Sequence, residues 1–350
     1  MEDIAWLVRE HLGEEAEVLT RESAALNGRA AALGLVAGGL RPDEVVRAVR
    51  RTGARVVHAH NTAPTFGWRA LAAARAAGAR VVLHLHNYRL VCAVGTCFTR
   101  GEDCTRCHGR NTAPGVRLNC RGGSRAESLA YAAGLALWQR RLAGAADAVV
   151  VPSAFALARL RELGAPLPAE VRVLGSVQRT LAGRSEAPTG RYVLAAGRLT
   201  PEKGFADVVD ACLAQRLPLV VAGDGPERER LRARAAGADV RFTGHVDNTA
   251  LAELRQGAAV AAVPSRYAEI LPLAALEAMA AGLPVVAARA GGLAEAVPDE
   301  GLYPPGDVPA LAARLRALYG DAAAGDRALA RARERWSPAT IAAGLREVYG

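Results

Sequence analysis

The chain has 350 residues, 51% of them hydrophobic, with 44 basic against 35 acidic side chains; it is too long for one ordinary core and too apolar to stay disordered, so two folded domains are expected. No apolar run is long enough to cross a bilayer, and the acidic start has no basic region leading into an apolar core, so a cytoplasmic protein is expected rather than a secreted or spanning one. Six cysteines in so large a chain do not make a secreted disulfide framework, and the net charge of +9 arises entirely in residues 1–180, which hold 24 arginines and 15 acids.

The chain opens on a helical pattern, MEDIAWLVREHLG, and EAEVLTRE (15–22) then reads as a strand. A doubly wound domain usually opens with a strand and a glycine-bearing turn. The first domain is therefore expected to lack its first strand, with the start placed too far downstream. ARVVHAH (54–60) and ARVVLHLH (79–86) are β-rich runs, separated by a helix that ends at Gly78. ADAVVVPS (146–153) reads as a strand running into a helix that Ser153 caps, and EVRVLG (170–175) closes the series. The polar stretch 183–190 is a linker candidate, which makes 1–182 the first domain. Beyond it RYVLAAGR, LPLVVAGDG, VRFTG, AAVAAVPS and LPVVAAR are each followed by helical sequence, giving a second domain over 191–335 and a C-terminal helix over 336–350 expected to cross back to the first. Strand and helix alternating twice over predict an α/β protein with two parallel, doubly wound sheets covered by helices. Ligands of such sheets bind beyond the C-terminal strand ends, so the cleft between the domains is the expected site.

In the second domain, Thr200 is expected to cap a helix that Pro201 starts, with Arg198 and Lys203, the only lysine, beside its N–H groups in a setting suited to a diphosphate. Gly197, Gly223 and Gly225 fall at strand ends, as tight turns also do. In VPSRYAEILPLAALEAMAAGLPVVAARAGG, Glu269 belongs to a loop and Glu277 to the helix that Pro272 begins, with seven residues between them. A carboxylate on so apolar a helix needs a partner or a ligand hydroxyl. Gly291 and Gly292 are placed to offer backbone N–H groups to an oxygen.

With GRLTPEKG, this segment resembles the donor-binding signature of the retaining GT-B glycosyltransferases, family 4: a Glu, seven residues, a second Glu, near EAMAxGxPVV. The likeness runs over nearly the whole chain. It implies two Rossmann-like domains and a nucleoside diphosphate sugar, UDP- or GDP-linked, as donor. Arg198 and Lys203 would hold the diphosphate, Glu277 the ribose hydroxyls, and Glu269 with Ile270 and Leu271 the donor sugar. Members commonly carry Phe–Gly where this chain has Ile270–Leu271–Pro272. His86, after its strand, would point at the donor sugar. The family implies no catalytic metal and no cofactor, and the chain has no Asp-x-Asp motif.

LHNYRLVCAVGTCFTRGEDCTRCH (85–108) gathers four cysteines and two histidines. Cys104-x2-Cys107 has metal-knuckle spacing, and Cys92, Cys97, Cys120 or His108 could complete a structural zinc set, Cys92/Cys104/Cys107/Cys120 above all; packed thiols and a redox pair remain open. HNTAPTFG, LHNYRLVC and CRGGSRAES together resemble family members that act on cell-surface polysaccharides. The implied acceptor is a glycan or a lipid-linked sugar. The surplus of +13 over residues 41–180 suits an anionic membrane surface, which LAYAAGLALWQRRLAG (129–144) could touch; an arginine-rich composition explains it equally. A nucleic-acid partner is not expected, since no recognition motif is present and the glutamate pair would have no use. A non-catalytic scaffold that binds donor without turnover is the alternative.

Overall fold

The structure is a computed structural model that describes residues 2–21, 28–121 and 124–350. The chain divides into two compact units, one of residues 1–99, 104–175 and 341–350, the other of residues 100–103 and 176–340. Residues 183–190 lie within the second unit, where the Ser185 N–H donates to Asp326 at 2.8 Å and 187–189 form a 3-10 turn.

Among the described residues, the first unit holds four parallel strands in the spatial order Val56–His60, Arg80–His84, Ala148–Val151, Glu170–Val173. The order follows the chain without reversal, so among the described residues this sheet is wound in one direction only. Ala148–Val151 is buried throughout, as a parallel strand covered on both faces must be, whereas every residue of Val56–His60 is half-buried, as befits the sheet edge. The expected strand over 15–22 does not form across its described residues, 15–21. Val18 and Leu19 lie exposed, and Glu17 is held by both terminal guanidinium nitrogens of Arg51 at 2.7 and 2.8 Å. The opening pattern is helical over Glu2–Leu7, widens into a π turn over Val8–Leu12 and stops at Gly13 with φ 69°. Ser153 caps the helix Ala154–Glu162, its Oγ accepting from the Ala156 N–H at 3.1 Å.

The second unit holds six parallel strands in the order Leu302–Tyr303, Val285–Ala288, Ala258–Val263, Tyr192–Ala196, Leu219–Ala222, Val240–Gly244. The two-residue edge strand Leu302–Tyr303 is absent from the sequence reading, being too short to show a period. Val193, Val221, Val260 and Val286 point into one core with Val208, Leu311 and Leu315, all fully buried; each contributes on the order of 1.5–3 kcal/mol. Strand order reverses between Tyr192–Ala196 and Ala258–Val263, whose loops therefore leave the sheet in opposite directions and open a crevice at their C-terminal ends.

Candidate active site

Backbone comes close to backbone where the first two strands of the second sheet end. The Gly197 N–H donates to the Ala222 carbonyl at 2.9 Å, and a Cβ on Gly223, at φ 142°, would stand 1.9 Å from the Gly197 oxygen. A Cβ on Gly225 would meet the Leu199 carbonyl at 2.4 Å. Gly223 and Gly225 are thus required by packing, and Gly197 and Arg198 are left exposed beyond the strand. Thr200 does not cap the long helix. Its hydroxyl donates to Glu202 at 2.7 Å, Pro201–Lys203 form one 3-10 turn, and the α-helix starts only at Phe205, after Gly204 has turned the chain at φ 69°. A Cβ on Gly204 would meet the Pro264 carbonyl at 2.1 Å, so the turn is pressed against the loop leaving Ala258–Val263.

That approach brings Lys203 to Glu269. The ammonium donates to both carboxylate oxygens at 2.9 Å, with the Lys203 side chain 20% exposed and that of Glu269 7%. Ser265, which is buried, donates its hydroxyl to the same carboxylate, and the Lys203 ammonium stands 5.4 Å from the Tyr267 ring centroid. Burial first, then the Glu269 charge, push the Tyr267 hydroxyl far above its ordinary range, so it stays a donor. Ile270 is buried and Leu271 half-buried just before the helix Leu273–Ala280. Glu277, on that helix, has Arg255 as the partner its apolar surroundings demand. Ser265, Tyr267 and Arg255 carry no spacing signal in the sequence, since their roles depend on which loops and helices lie side by side.

The amide of Gly292 is not left for a ligand. The Gly292 N–H is taken by the Glu269 carbonyl at 2.7 Å, and a Cβ on Gly292 would stand 2.1 Å from the Ile270 oxygen. The glycine turn is a floor beneath the Glu269–Ile270 loop. A separate cavity of about 260 Å³ lies beside the helix Phe205–Gln215, lined by Asp207, Asp210, Arg234 and Arg266 among others. None of Arg198, Lys203, Glu269 and Glu277 lines it, so it is not where the predicted donor residues converge.

In the first unit, His58, His60, His84 and His86 project from two neighbouring strand ends as one stack. His84 and His86 have ring centroids 4.4 Å apart, His58 and His60 4.5 Å, and His60 and His86 5.0 Å. His60 Nδ1 lies 2.7 Å from His86 Nε2, and His58 Nδ1 lies 2.7 Å from the Tyr349 hydroxyl. His86 itself is exposed. Crowding of the stack strips water from the rings and depresses all four, His58 to about 3 and His86 to about 4, so the imidazoles are neutral at physiological pH.

Five cysteines, Cys92, Cys97, Cys104, Cys107 and Cys120, line one small cavity of about 10 Å³, room for roughly one water-sized body. His108 is not among them: its Nε2 is engaged by the Glu162 carbonyl at 3.1 Å. Hydrogen bonding from Cys97, then backbone N–H groups of Cys97, Gly95 and Val94, lower the Cys92 thiol to about 6 against the opposing effect of burial. Burial pushes Cys107 up. Titration of the reduced chain, followed by thiolate absorbance, is expected to show one ionisation near pH 6 that disappears in Cys92→Ser. Retention of that step in the variant would contradict the assignment.

Residues 6–176 match the family model for a glycosyl transferase 4-like domain and residues 190–321 that for glycosyl transferases group 1. Two parallel-sheet units matched one after the other by these two models are those of a GT-B fold. The chain belongs to the group 1, family 4 glycosyltransferases. It is 35% identical over 225 residues to a glycogen synthase of Mycobacterium tuberculosis, a span covering 58% of this chain and 54% of that one. It is 34% identical over 171 residues to a GDP-mannose-dependent phosphatidylinositol dimannoside mannosyltransferase of the same species, covering 45% of each. The chain thus spans about half the length of the curated relatives it matches. Among solved structures, Anabaena HepE in complex with UDP superimposes with a TM-score of 0.61 at 20% identity, over 98% of this chain and 88% of that one.

Proposed function

We propose that the protein is a retaining glycosyltransferase that moves a sugar from a UDP- or GDP-linked donor to an acceptor hydroxyl without a catalytic metal or cofactor, in the making of a cell-surface polysaccharide or glycolipid. The observation that carries this reading is the Lys203–Glu269 ion pair at the point of strand reversal. A donor diphosphate would draw the Lys203 ammonium onto its own oxygens beside Arg198. Glu269 would then be released to accept from sugar hydroxyls, with the Ile270 and Leu271 backbone alongside. Glu277 would accept from the ribose, and His86 would offer a neutral ring nitrogen to the donor sugar. The bond from the anomeric carbon to the phosphate oxygen breaks on the face where the acceptor oxygen bonds, and the acceptor proton passes to the departing phosphate. Arg198 and Lys203 stabilise the negative charge that develops there, which is where fixed cations act most strongly.

A lipid-linked acceptor at an anionic membrane face fits the basic residues of the first unit and the exposure of Leu129 and Leu137 on the helix Arg125–Gly144. No helix among the described residues is long and apolar enough to cross a membrane. Calorimetric titration with UDP- and GDP-sugars tests the donor. Saturable binding is expected for one nucleotide class, weakened roughly ten- to a hundredfold in Glu277→Ala by loss of hydrogen bonds to a charged group. Binding without transfer to any acceptor would favour the scaffold alternative. Absence of binding would sink the donor reading altogether.

A further inference from the structure

The histidine stack holds more imidazole than the transfer reaction uses. Only His86 is assigned to the donor, yet one ring nitrogen from each of His58, His60 and His84 lies within 4.8 Å of the others. Four imidazole rings pressed together need a reason, because crowding them forfeits water around every nitrogen. We propose that His58, His60 and His84 form a binding site for a zinc-like transition cation in the first unit, distinct from the thiol-lined cavity.

Three features of the cluster suit a metal. At a zinc–nitrogen distance of about 2.0–2.1 Å, two ligands of a tetrahedral site stand roughly 3.3–3.4 Å apart. His84 Nδ1 and His58 Nε2 are already 3.3 Å apart. Metal-bound histidines also pass their second N–H to an acceptor, which fixes the ring and its tautomer. His58 Nδ1 meets the Tyr349 hydroxyl and His60 Nδ1 meets His86 Nε2, each at 2.7 Å, which leaves Nε2 of both rings for the cation. The strand pairing delivers the set, since His60 stands directly beside His84 in the register and His58 lies two residues back on the same face. Three nitrogens leave a fourth position for water, and the exposed His86 marks the way in. Because Tyr349 belongs to the helix Pro338–Tyr349, the ion would pin the chain's C-terminal end onto the edge strand Val56–His60.

The test loads the full chain, freed of metal by a chelator, with Co²⁺ as a visible probe and with Zn²⁺. The expected result is visible absorption of tetrahedral Co²⁺ that persists in Cys104→Ser/Cys107→Ser with no thiolate charge-transfer band. It should vanish in His58→Gln/His84→Gln. Tyr349→Phe, which keeps all three ligands, should weaken binding roughly ten- to a hundredfold. X-ray absorption of the zinc-loaded thiol variant covers the case in which the histidine variant fails to fold, and a first shell of nitrogen and oxygen alone is expected. Loss of Co²⁺ binding in the thiol variant, sulfur in the wild-type shell as the sole site, or no stoichiometric metal at all would overturn the proposal.

Discussion

Lys203→Ala is expected to cost roughly a hundred- to a thousandfold in kcat, the usual consequence of deleting one fixed donor to a developing oxyanion. The same change strands Glu269, whose side chain is 7% exposed, without its cation. Breaking a buried pair from one side costs about 3–5 kcal/mol, because the surviving charge remains desolvated. Lys203→Ala/Glu269→Gln should therefore recover most of the stability, as the neutral amide can still accept from Ser265. It should recover none of the activity, since the diphosphate still lacks its cation. Urea melts and steady-state transfer assays on the single and double variants separate the two effects. Recovery of turnover in the double variant would mean that Lys203 serves only to neutralise Glu269.

Gly292→Ala is expected to have the second large effect, although residue 292 bears no functional group. Its new Cβ would stand 2.1 Å from the Ile270 carbonyl, and its N–H already holds the Glu269 carbonyl at 2.7 Å. Backbone cannot yield as a flexible side chain does, so the loop bearing Glu269, Ile270 and Leu271 must move. Overpacking of this kind costs about 1–3 kcal/mol, and a displacement of about 1 Å at a reacting geometry costs on the order of a hundredfold. The measurement is kcat/KM for donor beside the denaturation midpoint. A variant that loses stability but keeps kcat/KM would show that the floor does not position the loop.

Both effects concern residues whose type and spacing are plain in the sequence but whose neighbours are not. The alternation of apolar strands and helices determined two parallel-sheet units, since a strand buried on both faces reads as a continuous apolar run. The run AAVAAV is buried at every position. The spacing of Glu269 and Glu277 and the company of Arg198 and Lys203 determined the family. Lys203 and Glu269 meet because Gly204 presses its turn against the Pro264 carbonyl, whereas Glu277 turns to Arg255, and neither contact is encoded by a local period.

The sequence also misled where local pattern lacked a neighbour. EAEVLTRE reads as a strand, but strand formation needs a partner ladder, and Glu17 finds Arg51 instead. Thr200 and Pro201 read as a helix start, but the positive φ at Gly204 delays the helix to Phe205. By itself the sequence determined most of the strands and helices, since periodicity and capping are local properties. Only the tertiary structure decided that four histidines from two strands form one stack, that five cysteines share one cavity, and that a glycine pair lies beneath a loop. Those outcomes rest on strand register and on backbone approach between distant segments, which no stretch of sequence contains alone.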